Sequence, residues 1–225
     1  MAPMATPPPT PVSRPRYRIG PDHRLIGAPG LQPPLRRDCP NHGGAFSPRL
    51  IVLHYTAAEF MDGSIAWLCD RRSKVSAHLV IGRDGALAQL VPFDRQAWHA
   101  GRSAWRGTPH LNHYAIGIEM ANLGPLGPAR VDGKRPAYRT PTGLPLPDLY
   151  YGRTAPGAPE LAWERYPAPQ VRTVVAVCAA LQQHYPMSTE VIGHSDCAVP
   201  AGRKLDPGPA WDWAAFRAAL TAANA

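Results

Sequence analysis

Proline placement constrains this chain more than any other feature. Of its 28 prolines, 12 lie in residues 1–48 and 10 in residues 123–169, leaving 6 for everything else. Proline fixes φ and removes a backbone donor, so neither rich stretch can be mainly helix or central strand. Regular structure must come from what lies between and after them. The first stretch reads as a tail or wrapping arm. The second reads as a long irregular insertion, and a structureless loop of that length inside a domain is unusual and often functional.

The remaining segments alternate in type. Arg49–Tyr55 is a short apolar run, predicted as a strand buried on both faces, with His54 near its end. Residues 62–72 read as a helix that Asp62 or Ser64 can cap, with Ile65, Leu68 and Cys69 on one face. Ser76–Val91 reads as a hairpin around Arg83-Asp84-Gly85, taken as turn chemistry alone. Tyr114–Met120 is a second buried strand that ends near Glu119. Gln170–Tyr185 carries helical periodicity and Pro186 stops it; Glu190–His194 is a last strand, and Trp211–Ala223 a closing helix. Interleaved strands and helices predict an α/β single domain with a central mixed β-sheet flanked by helices. The expected division is a proline-rich arm over 1–46 and a domain over 47–222 that contains the insertion 123–169.

Composition excludes several classes. With 225 residues and 44% hydrophobic residues the chain can bury a sizeable core, so wholesale disorder is out. No run approaches the roughly 20 apolar residues of a membrane span. The N-terminal residues lack the apolar core of a secretory signal, so the expected location is the cytoplasm, or the cell wall after release by a phage or delivery by a secretion system. The four cysteines form no CxxC pair, and reduced thiols are expected. The net charge of +8 suits an anionic partner or a solvated basic surface. No nucleic-acid-binding motif accompanies it, so no nucleic acid partner is expected. A monomer is expected.

His54 and His194 both end apolar runs, where ligands bind in open α/β sheets. Asp206 follows His194 by twelve residues. Two neutral imidazoles and one carboxylate are the ligand set of an open catalytic zinc site. Each histidine is equally readable as a hydrogen-bonded structural residue, and the spacing alone leaves both readings open. Glu119 ends another apolar strand, where a carboxylate can accept a proton from a bound water. Lys204 lies two residues before Asp206, where a cation can stabilise an oxyanion. His78 faces either the sheet interior or a pocket. Cys197, three residues after His194, reads as a packing residue.

Several motifs appear in a set order: Val75-Ser-Ala-His78 with Ile81-Gly-Arg-Asp-Gly85, Ala97-Trp-His-Ala-Gly101, Ile116-Gly-Ile-Glu119, Gly193-His-Ser-Asp196 and Gly202-Arg-Lys-Leu-Asp-Pro-Gly-Pro209. Together they resemble the zinc-dependent N-acetylmuramoyl-L-alanine amidases of type 2, over roughly residues 47–222. The resemblance implies Zn²⁺ held by His54, His194 and Asp206, with Glu119 and Lys204 catalytic. It implies a substrate groove involving Trp98, His99 and Asn112, and peptidoglycan or a muropeptide as the substrate. The alternative it allows is a peptidoglycan-binding module without turnover. Three features depart from the family pattern: a longer loop between His194 and Asp206, Ala77 where phage-type members have tyrosine, and the long proline-rich insertion.

Overall fold

The computed structural model describes residues 16–185 and 190–225. At its centre is a six-stranded sheet in the order Glu190–Gly193, Leu50–Tyr55, Ala115–Met120, Leu79–Ile81, Leu87–Gln89, Leu35–Arg36. The first four strands run parallel to one another. Leu87–Gln89 reverses direction through the Arg83-Asp-Gly turn, and Leu35–Arg36 runs parallel to it. The four parallel strands therefore end along one edge, near Gly193, Tyr55, Met120 and Ile81.

Side chains alternate between the two faces. Ile51, Leu53, Ile116 and Ile118 pack under helices Ala168–His184 and Trp213–Asn224, against Val174, Cys178, Leu181, Phe216 and Leu220. The opposite face carries Leu50, Val52, Ala115 and Ile192 beside Leu111 and Ala100. Further along that face, Val80 and Ala88 meet Ile65 and Leu68 of helix Met61–Leu68.

The elements follow the sequence expectations with informative differences. The first helix is shorter than 62–72: it spans Met61–Leu68, and neither Asp62 nor Ser64 caps it, because Phe60 occupies the N-cap position without a side-chain hydrogen bond. Its far end is cut by a turn in which Asp70 Oδ1 accepts the Arg72 N–H at 2.8 Å. The last strand stops at Gly193, and His194 opens a single helical turn whose Asp196 accepts the Gly193 N–H at 2.8 Å. Asp212 caps the closing helix by accepting from Ala215 N–H. Pro186 lies outside the described residues.

The proline-rich N-terminal segment packs on the body from residue 17 on. Tyr17–Ile19 pairs with Leu25–Gly27, and Tyr17, Ile19 and Leu25 are buried in the main core. Leu35–Arg36 becomes the sheet's edge strand, and His42–Ala45 pairs with Arg95–Ala97. Strands of two to four residues fit between prolines where longer ones would not. The insertion is likewise less irregular than its composition suggests. Pro125–Pro128, Leu161–Glu164 and Leu149–Gly152 form their own antiparallel sheet, and Tyr138–Arg139 pairs with Pro145–Leu146. Arg83 corrects the reading of its turn as turn chemistry alone. Its guanidinium forms a two-pronged ion pair with the buried Glu164 at 2.7 and 2.6 Å and so ties the hairpin to the insertion.

Candidate metal centre and active site

Strand register assembles the centre. Glu119 pairs with His54 across parallel neighbours, and Gly193 pairs with Leu53 on the other side, so the chain delivers His194 beside His54. Paired positions face the same side of a sheet. That side is the one not covered by the two long helices. The loop carrying Asp206 then folds onto the strand ends, held by the Ser195 N–H donating to the Asp206 carbonyl at 2.9 Å. Gly193 leaves room for this loop: a Cβ there would meet Pro207 Cδ at 2.7 Å.

His54 Nδ1, His194 Nδ1 and Asp206 Oδ2 stand 3.0 Å from one another in each pairing, and all three residues are buried. Their protons can be placed by elimination. His99 Nε2 faces the Ala115 carbonyl at 3.0 Å and must donate to it, which makes His99 Nδ1 an acceptor. His54 Nε2, at 3.0 Å from that acceptor, therefore carries the proton of His54. The His54 Nδ1 lone pair is left facing the centre. His194 Nε2 likewise donates to the Ala100 carbonyl at 3.1 Å, so the Nδ1 of a neutral His194 also presents a lone pair. Burial lowers His54 to a pKa of about 4 and holds His99 well below the usual imidazole range, so both are neutral near pH 7.

Three acceptors with no donor among them converge in a buried space. Such a group is unfavourable alone and suited to a cation. Tetrahedral zinc with bonds of about 2.0–2.1 Å separates its ligand atoms by roughly 3.3 Å, close to the spacing here. Among the described residues, these three are the His, Cys, Asp or Glu side chains placed to share one ion. Cys197 is elsewhere: its buried thiol lies 3.5 Å from the His194 carbonyl, and burial pushes its pKa up to about 12.

Beside the trio, Glu119 has its Oε2 buried without a hydrogen-bond partner. Burial first, then the charge of Asp206, raises its carboxyl to about 8, with Lys204 acting in the opposite sense. Lys204 is itself exposed at the rim, near enough for its charge to act on His54 as well. The residues expected to line a substrate groove make hydrogen bonds within the protein. Both ring nitrogens of His99 are committed, one to His54 and one to Ala115. Asn112 Oδ1 accepts the N–H groups of His99 and Ala100 at 3.1 and 2.8 Å, fixing the backbone that orients both imidazoles. Trp98 is half-buried, its N–H donating to Ser76 Oγ at 2.8 Å. His78 is structural: its Nδ1 accepts the Gly117 N–H and its Nε2 donates to the Arg95 carbonyl.

Sequence reasoning missed Gly117. The His99 ring lies directly over it, and a Cβ there would come within 2.4 Å of His99 Cγ. A glycine inside a buried strand signals close approach by another group, and that signal was present in Ile116-Gly-Ile118.

Fold and site together define an α/β domain with a His/His/Asp centre at the carboxyl edge of parallel strands. The chain belongs to the N-acetylmuramoyl-L-alanine amidase family, whose sequence model matches residues 44–209. It is 35% identical over 149 residues to the 1,6-anhydro-N-acetylmuramyl-L-alanine amidase AmpD of Citrobacter freundii, covering 66% of this chain and 58% of that protein. It is 32% identical over 173 residues to the N-acetylmuramoyl-L-alanine amidase AmiD of Escherichia coli (strain K12), covering 73% of this chain and 50% of that one. The chain thus spans between half and three-fifths of these relatives' lengths. Among solved structures, a selenomethionine derivative of AmpD matches with a TM-score of 0.59 and 29% identity, over 84% of this chain and 96% of that one. AmpDh3 of Pseudomonas aeruginosa, crystallised with an anhydromuramic pentapeptide, matches with a TM-score of 0.55 and 27% identity, over 86% and 65%. No helix among the described residues is long and apolar enough to cross a membrane.

Proposed function

We propose that this domain is a zinc-dependent hydrolase of the amide between N-acetylmuramic acid and L-alanine in peptidoglycan or muropeptides. The observation that carries the reading is the donor-free convergence of His54 Nδ1, His194 Nδ1 and Asp206 Oδ2 beside Glu119, whose Oε2 is buried without a partner. Family membership and the muropeptide held by AmpDh3 point to the substrate class.

His54, His194 and Asp206 would hold the ion. Zinc bound there supplies Lewis acidity and a water of lowered pKa. Glu119 accepts the proton of the attacking water and returns it to the departing L-alanine amine. A carboxyl raised to about 8 by burial is suited to both directions of transfer near neutral pH. Lys204 balances the charge that grows on the carbonyl oxygen. His99 keeps the His54 lone pair aimed at the centre, Asn112 keeps His99 in place, and Trp98 contributes to the wall of the groove.

Purified protein incubated separately with intact sacculi and with soluble anhydromuropeptide tests the activity and separates a wall substrate from a recycled one. Release of free stem peptide is expected, with one zinc per chain. Glu119→Gln is expected to keep the zinc and lose on the order of 10²–10⁴ in kcat. Full zinc occupancy with no release from either substrate would make the domain a recognition module instead.

A further inference from the structure

We propose that the proline-rich insertion positions the third ligand of the metal centre, with the Tyr166 hydroxyl holding the Asp206 loop in place. The proposal rests on reading His54, His194 and Asp206 as a metal centre, and it gives a task to a segment that the reaction itself does not use. The three ligands are not equally secured. His54 lies in a strand flanked on both sides, by Glu190–Gly193 and by Ala115–Met120, and His194 follows directly on the first of these. Asp206 has no such support. It sits in the irregular connection between the single turn His194–Cys197 and helix Trp213–Asn224, and residues 201–204 just before it are exposed. A carboxylate on such a connection keeps its place only through contacts that other elements make with it.

The insertion supplies those contacts. The Pro207 carbonyl, next along the chain from Asp206, accepts the Tyr166 O–H at 2.8 Å. A carbonyl can only accept, so the hydroxyl is committed as the donor. The Tyr166 ring stands edge-on to Trp211 with centroids 5.0 Å apart, which fixes the direction of that hydroxyl. One residue further on, Gly208 passes against the ring of Trp163, which is fully buried: a Cβ at Gly208 would come within 2.6 Å of Trp163 Cζ3. Trp163 and Tyr166 thus press on the two residues that follow the ligand, while the Ser195 N–H holds the Asp206 carbonyl from the other side at 2.9 Å.

The insertion is itself anchored beside Glu119. Asn122, two residues past the end of the Glu119 strand, is fully buried, and its side-chain amide donates to the Glu164 and Arg165 carbonyls at 3.4 and 3.3 Å. Glu164 Oε2 accepts the Leu123 N–H at 2.6 Å. The two ends of the insertion are clasped together there, and Tyr166 leaves the clasp toward the Asp206 loop. A site whose competent arrangement is only partly populated binds more weakly by that fraction. Loss of the Tyr166 hydrogen bond should therefore appear as lost metal affinity, acting through Asp206.

The test is the zinc affinity of the full chain, read by competition with a chelator of known affinity. Tyr166→Phe keeps the ring and removes only the hydroxyl. Its affinity is expected to fall about 10-fold, the lower end of the range for outer partners of a metal ligand, because the bond acts through the backbone. Tyr138→Phe is the control. It removes a bond of the same kind within the insertion, from the Tyr138 O–H to the Pro128 carbonyl at 2.8 Å, and should match wild type. In an Asp206→Ala background Tyr166→Phe should cause no further loss, since the two residues act as one unit. Unchanged affinity in Tyr166→Phe overturns the proposal and leaves the metal centre standing. An equal fall in Tyr138→Phe, or the same fall in the Asp206→Ala background, also overturns it, because the tyrosine would then act on the fold in general. If Asp206→Ala binds zinc too weakly to measure, the comparison of Tyr166→Phe with Tyr138→Phe decides. Wild-type protein that binds no zinc overturns the metal reading and the proposal together.

Discussion

At His54 the behaviour of one imidazole is decided by another. His99 receives the His54 Nε2 proton, and its own tautomer is fixed by the Ala115 carbonyl. Without His99 the His54 ring is free to rotate or to exchange tautomers, and outer partners of this kind typically contribute 10–100-fold to metal affinity. His99→Ala is therefore expected to weaken zinc binding by about 10–100-fold, read by competition with a chelator of known affinity. A residue that only lined a substrate groove would raise KM and leave that affinity unchanged. That His54, His194 and Glu119 would meet at the strand ends was legible because each interrupts an apolar run with a group that is costly to bury. The contact of His99 with His54 was not, because sequence cannot say which atom a ring nitrogen will meet. The same holds for Asn112, whose amide oxygen is taken by two backbone N–H groups.

The Ala115–Met120 strand carries two dependencies at once, Glu119 toward the centre and Gly117 beneath His99. Gly117→Ala would place a methyl 2.4 Å from His99 Cγ. Neither the strand, buried in mid-sheet, nor the doubly bonded ring can move freely, so the expected loss is about 1–3 kcal/mol of stability, the range for overpacked cores. Urea unfolding measures it, and zinc affinity should fall with it. Five of the six strands of the central sheet were legible from their apolar runs and their Asp-Gly turn. Helix ends were less so: the 62–72 periodicity runs past Leu68, but the Asp70–Arg72 turn wins locally. The short strands of the N-terminal segment and of the insertion were hidden, because strands of two to four residues among prolines show too little alternation to register.

Across the whole molecule, buried neutral histidines set the acid limit. His78 is lowered from 6.5 to about 4 by burial. Between those values the unfolded chain binds a proton that the folded chain does not, so stability is lost as pH falls through that window. The slope is about 1.4 kcal/mol per pH unit for each such group. Urea midpoints of the metal-free protein across the window check this, and a flat profile would contradict it. The single body also has a temporal side. During synthesis His54 leaves the ribosome 152 residues ahead of Asp206, and the strands that align them are non-neighbours in sequence. The long loop between them must close before an ion finds three ligands. An ion bound there would then act on the way out of the native state and not on the way in. Refolding rates should be insensitive to zinc while unfolding rates fall, which stopped-flow mixing with and without the ion would resolve.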